Sequence, residues 1–114
     1  MFLIDPSQYK RKKYYRQQRK VLFDGKCAYC QKEFANLTLD HFIPRKKGGR
    51  ENIENLIPAC VECNGDKGCE YPDDWFFNQS FFDHRQWSEI LFYVGHVELN
   101  HLIKKDKRLN IPDP

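Results

Sequence analysis

Two Cys-x-x-Cys pairs constrain this chain more than any other feature of its sequence. Cys27 and Cys30 form the first pair, Cys60 and Cys63 form the second, and 29 residues separate them. Each pair can place two thiolates on one tetrahedral ion, and two pairs complete the four-coordinate shell of structural zinc. The separation exceeds the roughly 15–20 residues of a simple zinc ribbon. We therefore expect a folded insert between the pairs.

The length of 114 residues predicts a single domain, small enough to benefit from a metal ion that stabilises it. No apolar run is long enough to cross a bilayer, and the first residues lack the basic start and apolar stretch of a signal peptide. We therefore expect a cytoplasmic protein whose thiols stay reduced and available to metal. The fifth cysteine, Cys69, is left unpartnered.

Charge is unevenly distributed along the chain. Residues 1–26 contain eight Lys and Arg against two acidic residues, whereas residues 71–103 contain one Arg against five acidic residues. The segment 8–23 lacks Gly and Pro and predicts a helix, with Lys13, Arg16 and Lys20 near one face. Basic residues interleaved with tyrosines suit phosphate contact and base stacking, which indicates a nucleic-acid partner. A solvated surface helix is the alternative.

The insert predicts a strand, a loop, a strand and a helix in that order. Residues 37–41 alternate between apolar and polar side chains and are β-prone, which predicts the first strand. Residues 45–50 are expected to form a basic, flexible loop. Residues 55–57 predict a second strand, and residues 58–68 predict a short helix. The glycines of the loop are expected to allow close approach to a ligand. Helices are predicted to start near Pro72 and to span residues 88–105. Aromatic residues are expected to build the core: Phe76, Phe77, Phe81, Phe82, Trp87 and Phe92.

The insert also contains residues suited to hydrolysis. Asp40 and Asn64 offer hard oxygen ligands for a cation such as Mg²⁺, and the neutral imidazole of His41 can take a proton from water near pH 7. Lys67 lies one helical turn beyond Asn64 and can pair with a phosphate. Because the set lacks a Ser or Cys nucleophile, water is the expected attacker. A metal, a base and a lysine in a basic setting indicate phosphodiester hydrolysis.

Residues 27–68 resemble the HNH endonucleases. The resemblance rests on DHFIPRKKGG, ENIENLIPACVECNGDKG and the flanking Cys-x-x-Cys pairs, which occur together and in order. It implies an α+β fold with a ββα-metal core held by a four-cysteine zinc site. The basic arm 8–23 and a helical extension 72–105 would flank this core within one domain of residues 1–114. It also implies a metal-dependent DNA endonuclease in a phage or bacterial setting.

Specific roles follow from the resemblance. His41 is implied as the general base, Asp40 and Asn64 as ligands of one Mg²⁺ or Mn²⁺ ion, and Asn55 as the residue that braces the loop and orients His41. The four paired cysteines would bind structural zinc. Products would carry 5′-phosphate and 3′-hydroxyl ends. Basic residues are expected to contact nucleic acid: Arg45, Lys46, Lys47, Lys67, Lys13, Arg16 and Lys20.

A non-catalytic zinc module that binds nucleic acid or protein is the alternative function. Such a module has no physical need for a base beside two hard ligands, so Asp40, His41 and Asn64 favour the nuclease. The sequence leaves open whether the substrate is DNA or RNA and whether one or both strands are cut. It also leaves open whether the chain acts alone, as a homodimer or in a larger nuclease complex.

Overall fold

The computed structural model describes residues 8–94 and shows the α+β fold expected from the sequence. Within this part, the chain runs from an N-terminal helix through a two-stranded sheet to three later helices. The helices are α1 (Gln8–Leu22), α2 (Val61–Lys67), α3 (Pro72–Phe76) and α4 (His84–Tyr93), and the strands are β1 (Thr38–His41) and β2 (Leu56–Ala59). Among the described residues, no helix is both long enough and apolar enough to span a membrane.

Helix α1 forms where the sequence lacks Gly and Pro, and it ends where Asp24 and Gly25 both take positive φ values. The amide of Gly25 donates to the carbonyl of Lys20 at 2.9 Å, which closes the last turn. The helix therefore ends at Leu22, and Phe23 leaves it to enter the hydrophobic core. This agrees with the predicted helix to within one residue.

Arg19 is a buried residue of α1 and links three parts of the fold. Its guanidinium donates to the carbonyl of Ile53, through Nε at 2.9 Å and also through a terminal nitrogen, and to the carbonyl of Tyr93 at 3.1 Å. Burial lowers the pKa of this guanidinium, while Glu54 and Tyr93 oppose the shift. Arg19 thus attaches the basic helix to the loop before β2 and to the end of α4.

Replacing Arg19 with alanine should lower the free energy of unfolding by about 2–4 kcal/mol, because two carbonyls lose a charged donor. Chemical denaturation followed by circular dichroism measures the change. Arg16→Ala is the matched control, since Arg16 lies exposed on the same helix. Equal stability of the two variants would show that Arg19 does not attach α1 to the core.

The two strands and α2 form a ββα unit. Strand β1 pairs antiparallel with β2, with Thr38 opposite Ala59 and His41 opposite Leu56. The second strand was predicted at residues 55–57, but Asn55 belongs to a 3₁₀ turn (Ile53–Asn55) and the strand extends to Ala59. Helix α2 was predicted from residue 58, yet it begins at Val61 because Pro58 pairs with Leu39 in the sheet.

The loop after β1 is more regular than its sequence suggests. Residues Arg45–Lys47 form a 3₁₀ turn, and Gly48 follows it with a φ of 94°. A Cβ atom at Gly49 would lie 1.6 Å from the carbonyl oxygen of Ile43. Gly49 therefore allows a close approach to the protein's own backbone, and the predicted approach of these glycines to a ligand stays a prediction.

Most of the aromatic residues predicted for the core belong to it or pack against it. Helix α3 has Pro72 in its first turn, as predicted, and buries Trp75 and Phe76. Phe81, Phe82 and Trp87 pack against this core, as expected. Two predicted core residues do not belong there, because Phe77 is 50% exposed and Phe92 is 80% exposed.

Helix α4 begins earlier and ends earlier than the predicted helix 88–105. It begins at His84, where the Asp83 carboxylate accepts a hydrogen bond from the Arg85 amide at 2.8 Å. It ends at Tyr93, and Val94 adopts an extended conformation with its side chain buried. The β-branched Val94 is followed in sequence by Gly95, and both are weak helix formers. Residues 95–105 of the predicted helix lie outside the described residues.

Candidate metal centres and active site

The four paired cysteines converge on one point. Their sulfur atoms all lie within 4.8 Å of one another. Tetrahedral zinc with Zn–S bonds of about 2.3 Å requires sulfurs about 3.8 Å apart, so the cluster is of the right size. The Cys63 amide donates to the sulfur of Cys60 at 3.4 Å, which caps α2 at its first turn. The structure thus supports the predicted four-cysteine cluster, which could hold a zinc ion.

The clustered thiols shift one another's pKa values in opposite directions. A hydrogen bond between the Cys27 and Cys63 side chains lowers the pKa of Cys27 and raises that of Cys63, while burial raises the pKa of Cys30. Because thiolates are the metal-binding form of cysteine, a zinc ion in this cluster would displace protons from the thiols that bind it.

Asp40 lies on β1, almost completely buried, and two side chains hold its carboxylate. The hydroxyl of Tyr29 donates to Oδ2 at 2.6 Å. The Lys67 ammonium lies 3.2 Å from Oδ2 and 3.3 Å from Oδ1. Burial raises the pKa of Asp40, while Lys67 and the Tyr29 hydrogen bond oppose the shift. The carboxylate therefore has a fixed position behind the surface.

Lys67 occupies a different position from the one that a phosphate contact needs. Its side chain is buried, and its ammonium also donates to the backbone carbonyl of His41 at 2.9 Å. The residue lies one turn beyond Asn64, as predicted, but this turn faces β1 rather than solvent. In this structure the lysine contacts Asp40 instead of the surface where nucleic acid would lie.

Asn64 projects from α2 to β1, and its neighbours define the orientation of its amide. The hydroxyl of Thr38 donates to the carbonyl of Ala59 at 2.8 Å. Because the hydroxyl proton is used in that bond, Thr38 can only accept from Asn64, whose Nδ2 lies 2.8 Å away. The amide oxygen of Asn64 therefore points elsewhere and is the atom left for a cation.

His41 ends β1 and contacts two charged residues. Its Nε2 lies 2.8 Å from one carboxylate oxygen of Glu51 and 3.0 Å from the other. Arg45 joins the group, with its guanidinium 3.1 Å from Glu51 and its Nε 3.4 Å from His41. The His41 side chain is 22% exposed. The imidazole is thus accessible from solvent and lies beside an ion pair.

Asn55 is fully buried and holds the loop that follows His41. Its Oδ1 accepts from the Ile43 amide at 2.8 Å. Its Nδ2 donates to the carbonyls of Ile43 and Arg50, at 3.0 and 2.9 Å. One side chain thereby connects both ends of the segment between β1 and the second 3₁₀ turn.

A cavity of about 400 Å³ brings the predicted base and the two predicted cation ligands together, whereas Asn55 and Lys67 lie outside its lining. Adjacent strand residues normally face opposite sides of a sheet, yet Asp40 and His41 both line this cavity because His41 is the last residue of the strand. Asn64 reaches it from α2, and Arg45 and Lys46 contribute positive charge. Lys47 lies outside it, with its ammonium 5.3 Å from the centre of the Tyr71 ring. The predicted cation ligands, Asp40 and Asn64, and the predicted base, His41, therefore share one solvent-accessible space.

A second, larger groove of about 930 Å³ runs between α1 and β1. The predicted basic face of α1 lines it, namely Lys13, Arg16 and Lys20. On the opposite side it is lined by His41, Arg45 and Glu51. His41 and Arg45 thus border both the groove and the smaller cavity. The basic helix and the candidate active site form one continuous surface.

Sequence reasoning did not identify Tyr29, Thr38 or Glu51. Tyr29 lies inside the first cysteine pair, where only its aromatic character was evident. Thr38 lies two residues before Asp40, so the period of a strand could have indicated that both share a face. Glu51 is an acidic residue directly after a basic loop, and this change of charge could have indicated an ion pair with the loop.

Comparisons with known proteins agree with this geometry. Residues 27–70 match the family model of the HNH endonucleases. A stretch of 45 residues is 44% identical to the CRISPR-associated endonuclease Cas9 of Corynebacterium diphtheriae, covering 37% of this chain. The match spans only 4% of the length of that relative. The resemblance seen in residues 27–68 is confirmed for that segment.

Proposed function

We propose that residues 27–70, which match the family model of the HNH endonucleases, hydrolyse phosphodiester bonds in DNA. His41 is the general base, and Asp40 and Asn64 hold one divalent ion. Products carry 5′-phosphate and 3′-hydroxyl ends. The observation that supports this proposal most strongly is the single cavity lined by Asp40, His41 and Asn64.

The chemistry of the donor set fits Mg²⁺ or Mn²⁺. Asp40 offers a carboxylate and Asn64 an amide oxygen, and hard oxygen donors are the ligands that these ions prefer. When bound, the ion supplies Lewis-acid stabilisation of the charge that develops on the phosphate. With one side chain on a strand and the other on a helix, the protein holds both donors on rigid elements. The four-cysteine cluster, with its soft thiolate ligands, would hold Zn²⁺ instead.

His41 takes the proton from the attacking water. A neutral imidazole is suited to this step near pH 7. Asn55 limits the movement of the loop directly after His41 through its three hydrogen bonds. Lys67 contributes by holding the His41 carbonyl at 2.9 Å. Together these contacts keep the base at the edge of the cavity, where a scissile phosphate can approach.

The groove along α1 supplies a path for the DNA backbone. Lys13, Arg16 and Lys20 place positive charge along one wall, and Arg45 places it beside the base. Phosphate contacts of this kind position a nucleic acid without reading its sequence. Lys46 in the smaller cavity and Lys47 on the same turn extend the basic surface. We propose that one strand lies in this groove with its scissile phosphate at His41.

A supercoiled-plasmid assay with added Mg²⁺ or Mn²⁺ tests the proposed function. We expect conversion to open-circle or linear DNA with added divalent ion and none without it, using zinc-loaded protein in both cases. Direct ligation of the products by DNA ligase would demonstrate the 5′-phosphate and 3′-hydroxyl ends. If folded, zinc-loaded protein binds DNA but cleaves it in neither metal, the non-catalytic binding module replaces this proposal.

Replacing Glu51 with alanine should tighten DNA binding. The Glu51 carboxylate occupies the position beside His41 and Arg45 where a phosphate would lie, and like charges repel. Its removal also frees Arg45 for phosphate. Exposed charges of this kind contribute about 0.2–1 kcal/mol, or up to about fivefold in Kd. Fluorescence anisotropy with a labelled duplex measures the change. Glu89→Ala on α4 is the control, and weaker binding by the Glu51 variant would contradict the phosphate position.

A further inference from the structure

We propose that Tyr29 and Thr38 are positioning residues, which orient the two ligands of the catalytic ion, Asp40 and Asn64. This inference rests on the function proposed above and concerns how its metal site is prepared before the ion binds. Each residue contacts one ligand directly through a hydroxyl group. The orientation of metal ligands by a second layer of hydrogen bonds is a general determinant of metal affinity.

Thr38 controls which end of the Asn64 amide faces the cavity. Only the carbonyl end of an amide binds a cation, and the NH₂ end repels it. Because Thr38 donates its proton to Ala59 and can only accept from Asn64, the NH₂ group must face Thr38. Without the Thr38 hydroxyl, the amide can rotate and present the wrong end.

Tyr29 acts on the position of Asp40. Its ring is buried between Trp75 and Phe76, with ring centres 5.0 and 5.3 Å away, so its hydroxyl cannot easily move. The bond of 2.6 Å to Oδ2, together with the Lys67 ammonium at 3.2 Å, engages that oxygen twice. Within residues 8–94, the side-chain contact of Oδ1 is the longer one, 3.3 Å to Lys67. The less engaged oxygen, Oδ1, is therefore the one that would bind the ion.

The location of Tyr29 in the chain joins the two metal centres. It lies between Cys27 and Cys30, two ligands of the four-cysteine cluster, and it is fully buried. Zinc binding therefore fixes the backbone on both sides of the residue that holds Asp40. Through Tyr29, the structural centre determines the geometry of the catalytic one.

The test is the Mn²⁺ affinity of Tyr29→Phe and Thr38→Val, measured by electron paramagnetic resonance. Both changes are made in zinc-loaded His41→Ala protein with a bound DNA duplex, so that the duplex stays intact. We expect Mn²⁺ to bind about 10–100-fold more weakly in each variant than in His41→Ala alone. Thr38→Ser retains the hydroxyl and should restore the affinity. Zinc content should not change.

Tyr14→Phe is the matched control, because it removes an exposed tyrosine hydroxyl from α1. Unchanged Mn²⁺ affinity in Tyr29→Phe and Thr38→Val would overturn the inference, as would equal losses in Thr38→Val and Thr38→Ser. The inference would also be overturned if Mn²⁺ bound to none of the variants. If the wild-type protein cleaves no DNA but the variants still bind Mn²⁺ more weakly, the proposed hydrolysis fails while the positioning roles stand.

Discussion

Replacing His41 with alanine should reduce plasmid cleavage by a factor on the order of 10²–10⁴, which is the usual contribution of a positioned general base. The loss should appear in the rate at saturating DNA, because His41 acts on the attacking water. DNA affinity should stay close to that of the wild type, since the basic contacts of Lys13, Arg16 and Lys20 lie on α1. A cleavage time course and fluorescence anisotropy measure the two quantities separately.

His84→Ala is the control for the His41 variant. His84 is an exposed histidine at the start of α4, and it lines neither the cavity nor the groove. The His84→Ala variant should cleave plasmid DNA at the wild-type rate. If cleavage and binding fall together in His41→Ala, His41 serves substrate binding and is not the base. If cleavage persists at the wild-type rate, another group must activate the water.

Replacing Cys60 with serine should unfold the protein or lower its melting temperature drastically. Structural zinc in small domains contributes on the order of 10–16 kcal/mol, whereas a whole domain is stable by only about 5–15 kcal/mol. Cys27, Cys60 and Cys63 also belong to the hydrophobic core, together with Tyr29. Loss of the ion would therefore disrupt packing at the centre of the fold. Circular dichroism on heating, with zinc content from mass spectrometry, measures both effects.

Cys69→Ser is the matched control for the zinc centre. Cys69 is exposed and lies outside the four-cysteine cluster. The Cys69→Ser variant should retain the wild-type zinc content and melting temperature. Removal of zinc from the wild type by a strong chelator should reproduce the Cys60→Ser phenotype. If the metal-free protein melts at the same temperature as the zinc-loaded protein, the cluster does not stabilise the fold.

The sequence predicted the features that depend on residues close together along the chain. Two short cysteine spacings indicated the four-cysteine cluster, and the alternating segment 37–41 indicated β1 to within one residue. Helix α1 followed from the absence of Gly and Pro. Local patterns and ligand chemistry also gave the order of the strands and helix and the choice of Asp40, His41 and Asn64, and the resemblance of residues 27–68 added a role for Asn55. Local propensity and motif spacing carry this information because each depends on near neighbours.

Only the tertiary structure decided the contacts between residues distant in sequence. Arg19 has basic neighbours along α1, yet it is buried against Ile53 and Tyr93. Lys67 has the spacing of a phosphate contact, yet it is paired with Asp40. A buried charge needs a buried partner, and the partner is set by the packing of whole elements rather than by the local sequence.

The same reason explains why Tyr29 is buried and Phe92 is exposed. Both are aromatic, and nothing local distinguishes a residue that is fully buried from one that is 80% exposed. The position of α3 and α4 against the sheet places the Tyr29 hydroxyl beside Asp40 and leaves Phe92 at the surface. The sequence by itself indicated the candidate metal ligands and the candidate base, whereas packing determined the side chains that hold them.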